Sequence, residues 1–102
     1  MKAKSAADLI RLLNDHRVFI DLLFDSSGHQ MHIGRVVGII GHESLSLLED
    51  YGIVETFNTE VLLDDKIASM FEAHLVDGYG EDVLDYTKIF KTINDNIDLY
   101  YK

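Results

Sequence analysis

Histidines, serines and carboxylates are the groups in this sequence whose spacing could support chemistry. His29-x-x-His32 sets two imidazoles three residues apart, and His42-Glu43 follows. A zinc ion wants three or four well-placed ligands. Without cysteine, His29, His32, His42 and Glu43 are the whole candidate set; ordinary loop and surface roles are the alternative, and no metal is assigned. Ser44 and Ser46 lack a His–Asp pair placed to activate a hydroxyl. Asp77, Glu81, Asp82 and Asp85 surround a glycine-rich loop, but without the alternating ligands and distal glutamate of a calcium loop. Gly34, Gly38 and Gly41 lack the spacing of a nucleotide-binding turn. His16 and His74 fall on apolar helix faces, where half-buried, hydrogen-bonded imidazoles are expected. No catalytic residue, cofactor or metal is assigned, and the chain is not expected to be an enzyme.

The elements that carry these groups belong to a chain of 102 residues, enough for one core without metal or disulfide staples. Hydrophobic residues make up 47% and charged residues 26%, which is globular usage. With no cysteine there is neither a disulfide nor thiolate chemistry. Asp8 and Arg11 interrupt the early apolar run that a signal peptide needs. No stretch approaches the roughly 18 apolar residues of a membrane span, so a cytoplasmic protein without a membrane partner is expected. The net charge is −9, with seven acids against five cations in residues 1–51 and eleven against four in 52–102. Nucleic-acid affinity comes largely from cations neutralising phosphates, so such a chain repels phosphate backbones and steers toward basic partners.

Ser5 to Asp8 has the form of a helix cap, a hydroxyl followed three residues on by an acid. Leu9, Leu12, Leu13, His16, Ile20, Leu23 and Phe24 then recur at helical steps. Asn14-Asp15 can split this run into two helices, with Asp15 capping the second, and Ser26-Ser27-Gly28 ends it. Residues 31–41 are open between helix and strand: Ile33, Val36, Val37 and Ile40 fit a helix, while β-branching and three glycines oppose one. A helix over 43–51 carries Leu45, Leu48 and Tyr51 on one side, and Gly52 stops it. Residues 53–57 have strand character, Asn58-Thr59 can turn, and 61–63 can return as a second strand. Asp64 or Asp65 then caps a helix bearing Ile67, Met70, Phe71, His74 and Leu75.

Leu48-Glu49-x-x-Gly52-Ile53-Val54 resembles the phrase that ends the third helix of winged helix-turn-helix domains, with a two-stranded wing and another helix after it. The resemblance covers roughly residues 8–75 and is carried by 47–63. It implies a mainly α fold with a small β-hairpin, an α+β winged-helix-like domain. Two departures stand out. The stretch from Ile33 to Gly52 is shorter than the usual two helices and turn, and it is glycine-rich. DNA-binding members also need Arg, Lys, Asn or Gln on the third helix. Here that helix offers Glu43, Glu49 and Asp50, and the wing adds Glu55 and Glu60, with no Lys or Arg on either. Direct nucleic-acid binding is therefore not expected.

The C-terminal part is expected to be a loop at Asp77-Gly78-Tyr79-Gly80-Glu81 and an amphipathic helix from Asp82 onward. Val83, Tyr86, Phe90, Ile93, Ile97 and Tyr100 recur at alternating steps of three and four, the spacing of a coiled-coil seam, with Leu84 and Ile89 widening it. Three arrangements fit: the helix folds back on the domain, pairs with its copy in a homodimer, or continues into a longer parent protein. The expected organisation is a winged-helix-like domain over 1–76 and a loop plus heptad-patterned helix over 77–102, in one structural unit. The expected function is a protein–protein interaction module that dimerises or docks onto a larger complex through the terminal helix. The alternative is a small regulator or inhibitor of nucleic-acid machinery: a divergent transcription factor, or an acidic mimic of DNA that opposes host defence.

Overall fold

Ser5 starts the first helix by accepting a hydrogen bond from the Asp8 amide at 3.2 Å, so the cap takes one of the donors a helix start leaves unpaired. The structure is a computed structural model and describes residues 5–78 and 81–96. Helix α1 (Ala6–Asp15) and helix α2 (Arg17–Asp25) meet at His16, one residue beyond the expected break. His16, not Asp15, is the cap of α2, and it makes no side-chain cap bond. Its Nδ1 instead donates back to the Leu12 carbonyl at 2.9 Å, a bond that holds the corner from the α1 side. A short 3-10 turn at Ser27–His29 follows, with Gly28 at φ 70°.

Residues 31–41 form both a strand and a helix. Strand β1 (Gln30–His32) buries Met31, and helix α3 (Ile33–Asp50) begins immediately after it. The His32 ring caps α3 by accepting from the Gly34 amide at 2.9 Å. Gly41 divides α3 into a first arm, 33–40, and a second, 42–50, because its φ of 82° and ψ of 166° lie outside the helical region. Such a conformation is almost restricted to glycine.

The second arm ends at a cap of Schellman geometry. Gly52, at φ 70°, donates to the Glu49 carbonyl at 3.0 Å, and Ile53 donates to Leu48 at 3.0 Å. The chain leaves this cap directly as strand β2 (Val54–Phe57), and strand β3 (Glu60–Leu63) returns along it. Phe57 pairs with Glu60, so Asn58 and Thr59 make the whole connection, with Asn58 at φ 56°. The antiparallel order is β1-β3-β2, which makes the expected hairpin a three-stranded sheet. Asp64 caps helix α4 (Asp65–Ala73), accepting from Lys66 at 3.0 Å and Ile67 at 3.1 Å.

The chain after α4 departs from expectation. Helix α4 stops at Ala73, so His74 is its cap and Leu75 lies on a strand. Strands β4 (Leu75–Gly78) and β5 (Glu81–Leu84) form a second hairpin where a loop and the start of a helix were expected. Leu75 pairs with Leu84 and Val76 with Val83, so two leucines and two β-branched valines form the apolar end of the ladder. Helix α5 (Tyr86–Asp95) begins four residues later than expected, at an Asp85 cap that accepts from the Lys88 amide at 3.2 Å.

One contiguous core joins the elements. Leu9 and Leu13 of α1, Phe19, Ile20 and Leu23 of α2, Val36 and Leu48 of α3, Val61 of β3, Phe71 of α4 and Ile89 and Ile93 of α5 are all buried in it. The fold is therefore mainly helical with small antiparallel sheets and a C-terminal helix. No helix among the described residues is long and apolar enough to cross a membrane.

Candidate functional site

The second arm of α3 turns Leu45, Leu48 and Tyr51 into the core, all buried. Steps of three place these on one side, so the rest of the arm must face outward. His42, Glu43, Ser46, Glu49 and Asp50 are exposed, and Leu47 is half-buried among them. A shallow depression is lined by His42, Glu43, Ser46, Leu47 and Asp50. The hairpin extends this surface. Thr56 of β2 donates its hydroxyl to Glu49 Oε1 at 3.0 Å, tying a carboxylate of the helix to the sheet. Glu55 is exposed, Glu60 is half-buried, and Phe57 is 65% exposed beside the turn.

The helix–hairpin face carries no Lys or Arg. The described cations lie elsewhere and are largely engaged. Arg11 meets Asp8 at 3.2 Å, Lys91 meets Asp95 at 3.2 Å, and Lys88 meets Asp85 at 4.0 Å, each within its own helix or helix cap. Arg17 reaches Asn14 Oδ1 at 3.1 Å and lies 4.2 Å from the centre of the Tyr86 ring. A phosphate brought against Glu43, Glu49, Asp50 or Glu55 would meet like charge, an unfavourable term of about 1 kcal/mol per contact in water-like surroundings.

His42, Ser46 and Asp50 follow one another at steps of four along the arm, yet no hydrogen bond joins them. The Ser46 hydroxyl accordingly has no base positioned on it. The other histidines have structural partners. His29 stacks on Phe24 with ring centroids 4.8 Å apart and planes 7° from parallel; its Nδ1 donates to the Phe24 carbonyl at 2.6 Å and its Nε2 faces Glu72 at 3.3 Å. These contacts hold it at φ 52°, in the left-handed region. His74 Nε2 bonds Thr92 Oγ1 at 2.9 Å, half-buried like His16. No cluster of three His, Asp or Glu able to hold a metal occurs among the described residues.

The residues expected to form a partner seam do not share one exposed ridge. Val83 lies on β5, 44% exposed, and not on the terminal helix. Tyr86 is half-buried and donates its hydroxyl to Asp21 of α2. Phe90 is partly buried against the core, and Ile93 is 0% exposed within it. Ile97 and Tyr100 lie outside the described residues. The apolar side of α5 packs on the domain itself, against α1 among others.

The partner of Tyr86 is what sequence periodicity could not supply. Burial first, then the hydrogen bond to Asp21 and that carboxylate's charge, push its phenol above the ordinary tyrosine value. It belongs to a chain of rings: Phe24 to Phe71 at 5.7 Å, Phe71 to Tyr86 at 6.1 Å, Tyr86 to Phe90 at 5.7 Å. Tyr86 and Asp21 are 65 positions apart, and no local pattern announces such a pair. Compared with known proteins, the chain matches no family model, no curated protein and no solved structure.

Proposed function

We propose that this chain is a non-catalytic protein-interaction module of winged-helix type, which presents its helix–hairpin face to a basic surface on another protein. Several features support the winged-helix assignment. The second arm of α3 ends at Gly52, passes straight into a two-stranded wing, and is followed by another helix, the order that the resemblance implies. Gly41 replaces the turn between the second and third helices with a single residue, which accounts for the shortness of that segment.

One observation carries the functional side. Carboxylates occupy the helix and wing where a groove reader needs cations, and an exposed aromatic stands beside them. Rim charges of one sign steer a partner of the other, and an exposed Phe supplies apolar contact once it is seated. The terminal helix buries Ile89 and Ile93 in the core of its own domain, which leaves docking to the helix–hairpin face.

A labelled oligo-lysine peptide is a suitable probe for this face, read by fluorescence anisotropy at low salt. Binding is expected, weakening steeply as salt is added. The double variant Glu49→Lys, Asp50→Lys is expected to weaken it at least about tenfold, and Asp95→Lys on α5 by less than about twofold. Equal losses in the two variants, or a duplex DNA shift at low salt by the unmutated chain, would overturn the proposal.

A further inference from the structure

The first arm of α3 differs from the second in what it shows to solvent. Ile39 is 42% exposed, and across a groove from it Val18 of α2 is 75% exposed. Phe19 and Ile40 line the same groove, and Leu22, one turn beyond Val18 on α2, is 40% exposed. Apolar residues meet here with one acid and one cation of the lining, Asp15 and Arg17, so the groove is locally balanced in a chain of net charge −9. Exposed Arg35 stands one turn before Ile39, and exposed Asp25 lies two turns after Val18.

Gly38 adds an independent observation. Gly34 is accounted for by the cap, since a Cβ there would come within 3.1 Å of the His32 ring. Gly41 is accounted for by its φ of 82°. Gly38 lies inside the helix, exposed, and a Cβ there would meet nothing within 4 Å. Alanine would favour the helix by up to about 1 kcal/mol at such a site, so the subunit gains nothing from this glycine. A second backbone approaching closely does gain from it.

We infer that the chain forms a homodimer through this α2–α3 groove, with the first arms of the two α3 helices approaching at Gly38. A two-fold interface sets one patch against itself. An apolar centre flanked by both signs, Arg35 on α3, Asp15 at the end of α1, and Arg17 and Asp25 on α2, is compatible with its own copy. The helix–hairpin face is not, because carboxylate would meet carboxylate. The dimer leaves that face free, so it does not depend on the function proposed for it.

Sedimentation velocity of the full chain from about 1 to 300 µM tests this. A monomer–dimer equilibrium is expected within that range. Val18→Asp and Ile39→Asp are expected to weaken it at least about tenfold, with the circular dichroism spectrum unchanged because both side chains are exposed. Gly38→Ala is expected to raise the melting temperature of the dilute protein by a few degrees and yet weaken association. A monomer throughout the range, or a dimer indifferent to both Asp variants, overturns the inference. A Gly38→Ala protein with undiminished association overturns the close approach at that glycine.

Discussion

The two arms of α3 are continuous in sequence and opposite in surface. The first shows solvent Gly34, Arg35, Gly38 and Ile39; the second shows His42, Glu43, Ser46, Glu49 and Asp50. Both turn apolar residues inward, Val36 in the first and Leu45 and Leu48 in the second. Gly41 lies between them with a backbone that only glycine adopts readily. One residue thus lets a single helical run present two chemically distinct faces at different angles.

The contrast can be broken most severely from inside. Leu48→Ala, at a wholly buried site beneath the acidic arm, is expected to cost about 2–5 kcal/mol in urea unfolding. In the dilute, monomeric protein Ile39→Ala on the first arm is expected to cost less than about 1 kcal/mol, since its side chain is 42% exposed. Similar losses at the two positions would mean that Ile39 is packed within the subunit. Gly41→Ala comes next. Nothing lies within 4 Å of the added Cβ, so its cost is backbone strain, about 1–3 kcal/mol by the same measurement. A neutral result would show that the hinge relaxes into a straight helix. The smallest effect is expected for Thr56→Val, which removes the hydroxyl donated to Glu49 and should cost about 0.5–1 kcal/mol. Oligo-lysine affinity should change little in that variant, because the carboxylate remains. A large loss there would mean that the fixed position of Glu49 matters more than its charge.

Much of the second arm and its hairpin was legible in the residues themselves. Leu45, Leu48 and Tyr51 settle which side is buried, Gly52 marks the cap, and Asn58-Thr59 marks the turn. Each is a local signal with a local cause. The outward acids then follow by subtraction. The first arm was ambiguous because β-branched residues and glycines argue against a helix, while the force that decides it, burial of Val36, is tertiary. Strand β1 shares that ambiguity, since three residues carry no periodicity and Met31 is defined only by its pairing with Val61.

Within the terminal seam, Val83 and Tyr86 fall on different elements. Val83 and Tyr86 are three apart, as a helix would require, but Asp85 separates a strand from a helix between them. A palindrome is present instead: Leu75-Val76 and Val83-Leu84 flank a glycine-containing stretch of sequence, and the two pairs face one another in the ladder. The alternating steps from Tyr86 to Ile93 did identify a real apolar face. They could not say whether a partner or the domain's own core covers it. Ile93 answers for the core.

The bond from Tyr86 to Asp21 gives the molecule a built-in optical reporter. The chain has no tryptophan, so its near-ultraviolet emission comes from five tyrosines. A phenol hydrogen-bonded to a carboxylate is a quenched emitter, and detachment of α5 from α2 would brighten it without any attached dye. Its raised pKa also sets an alkaline limit. Above about pH 10 the unfolded chain releases this proton while the folded one retains it, so rising pH draws the equilibrium toward the detached form, whose phenolate is read by its red-shifted absorbance rather than by emission.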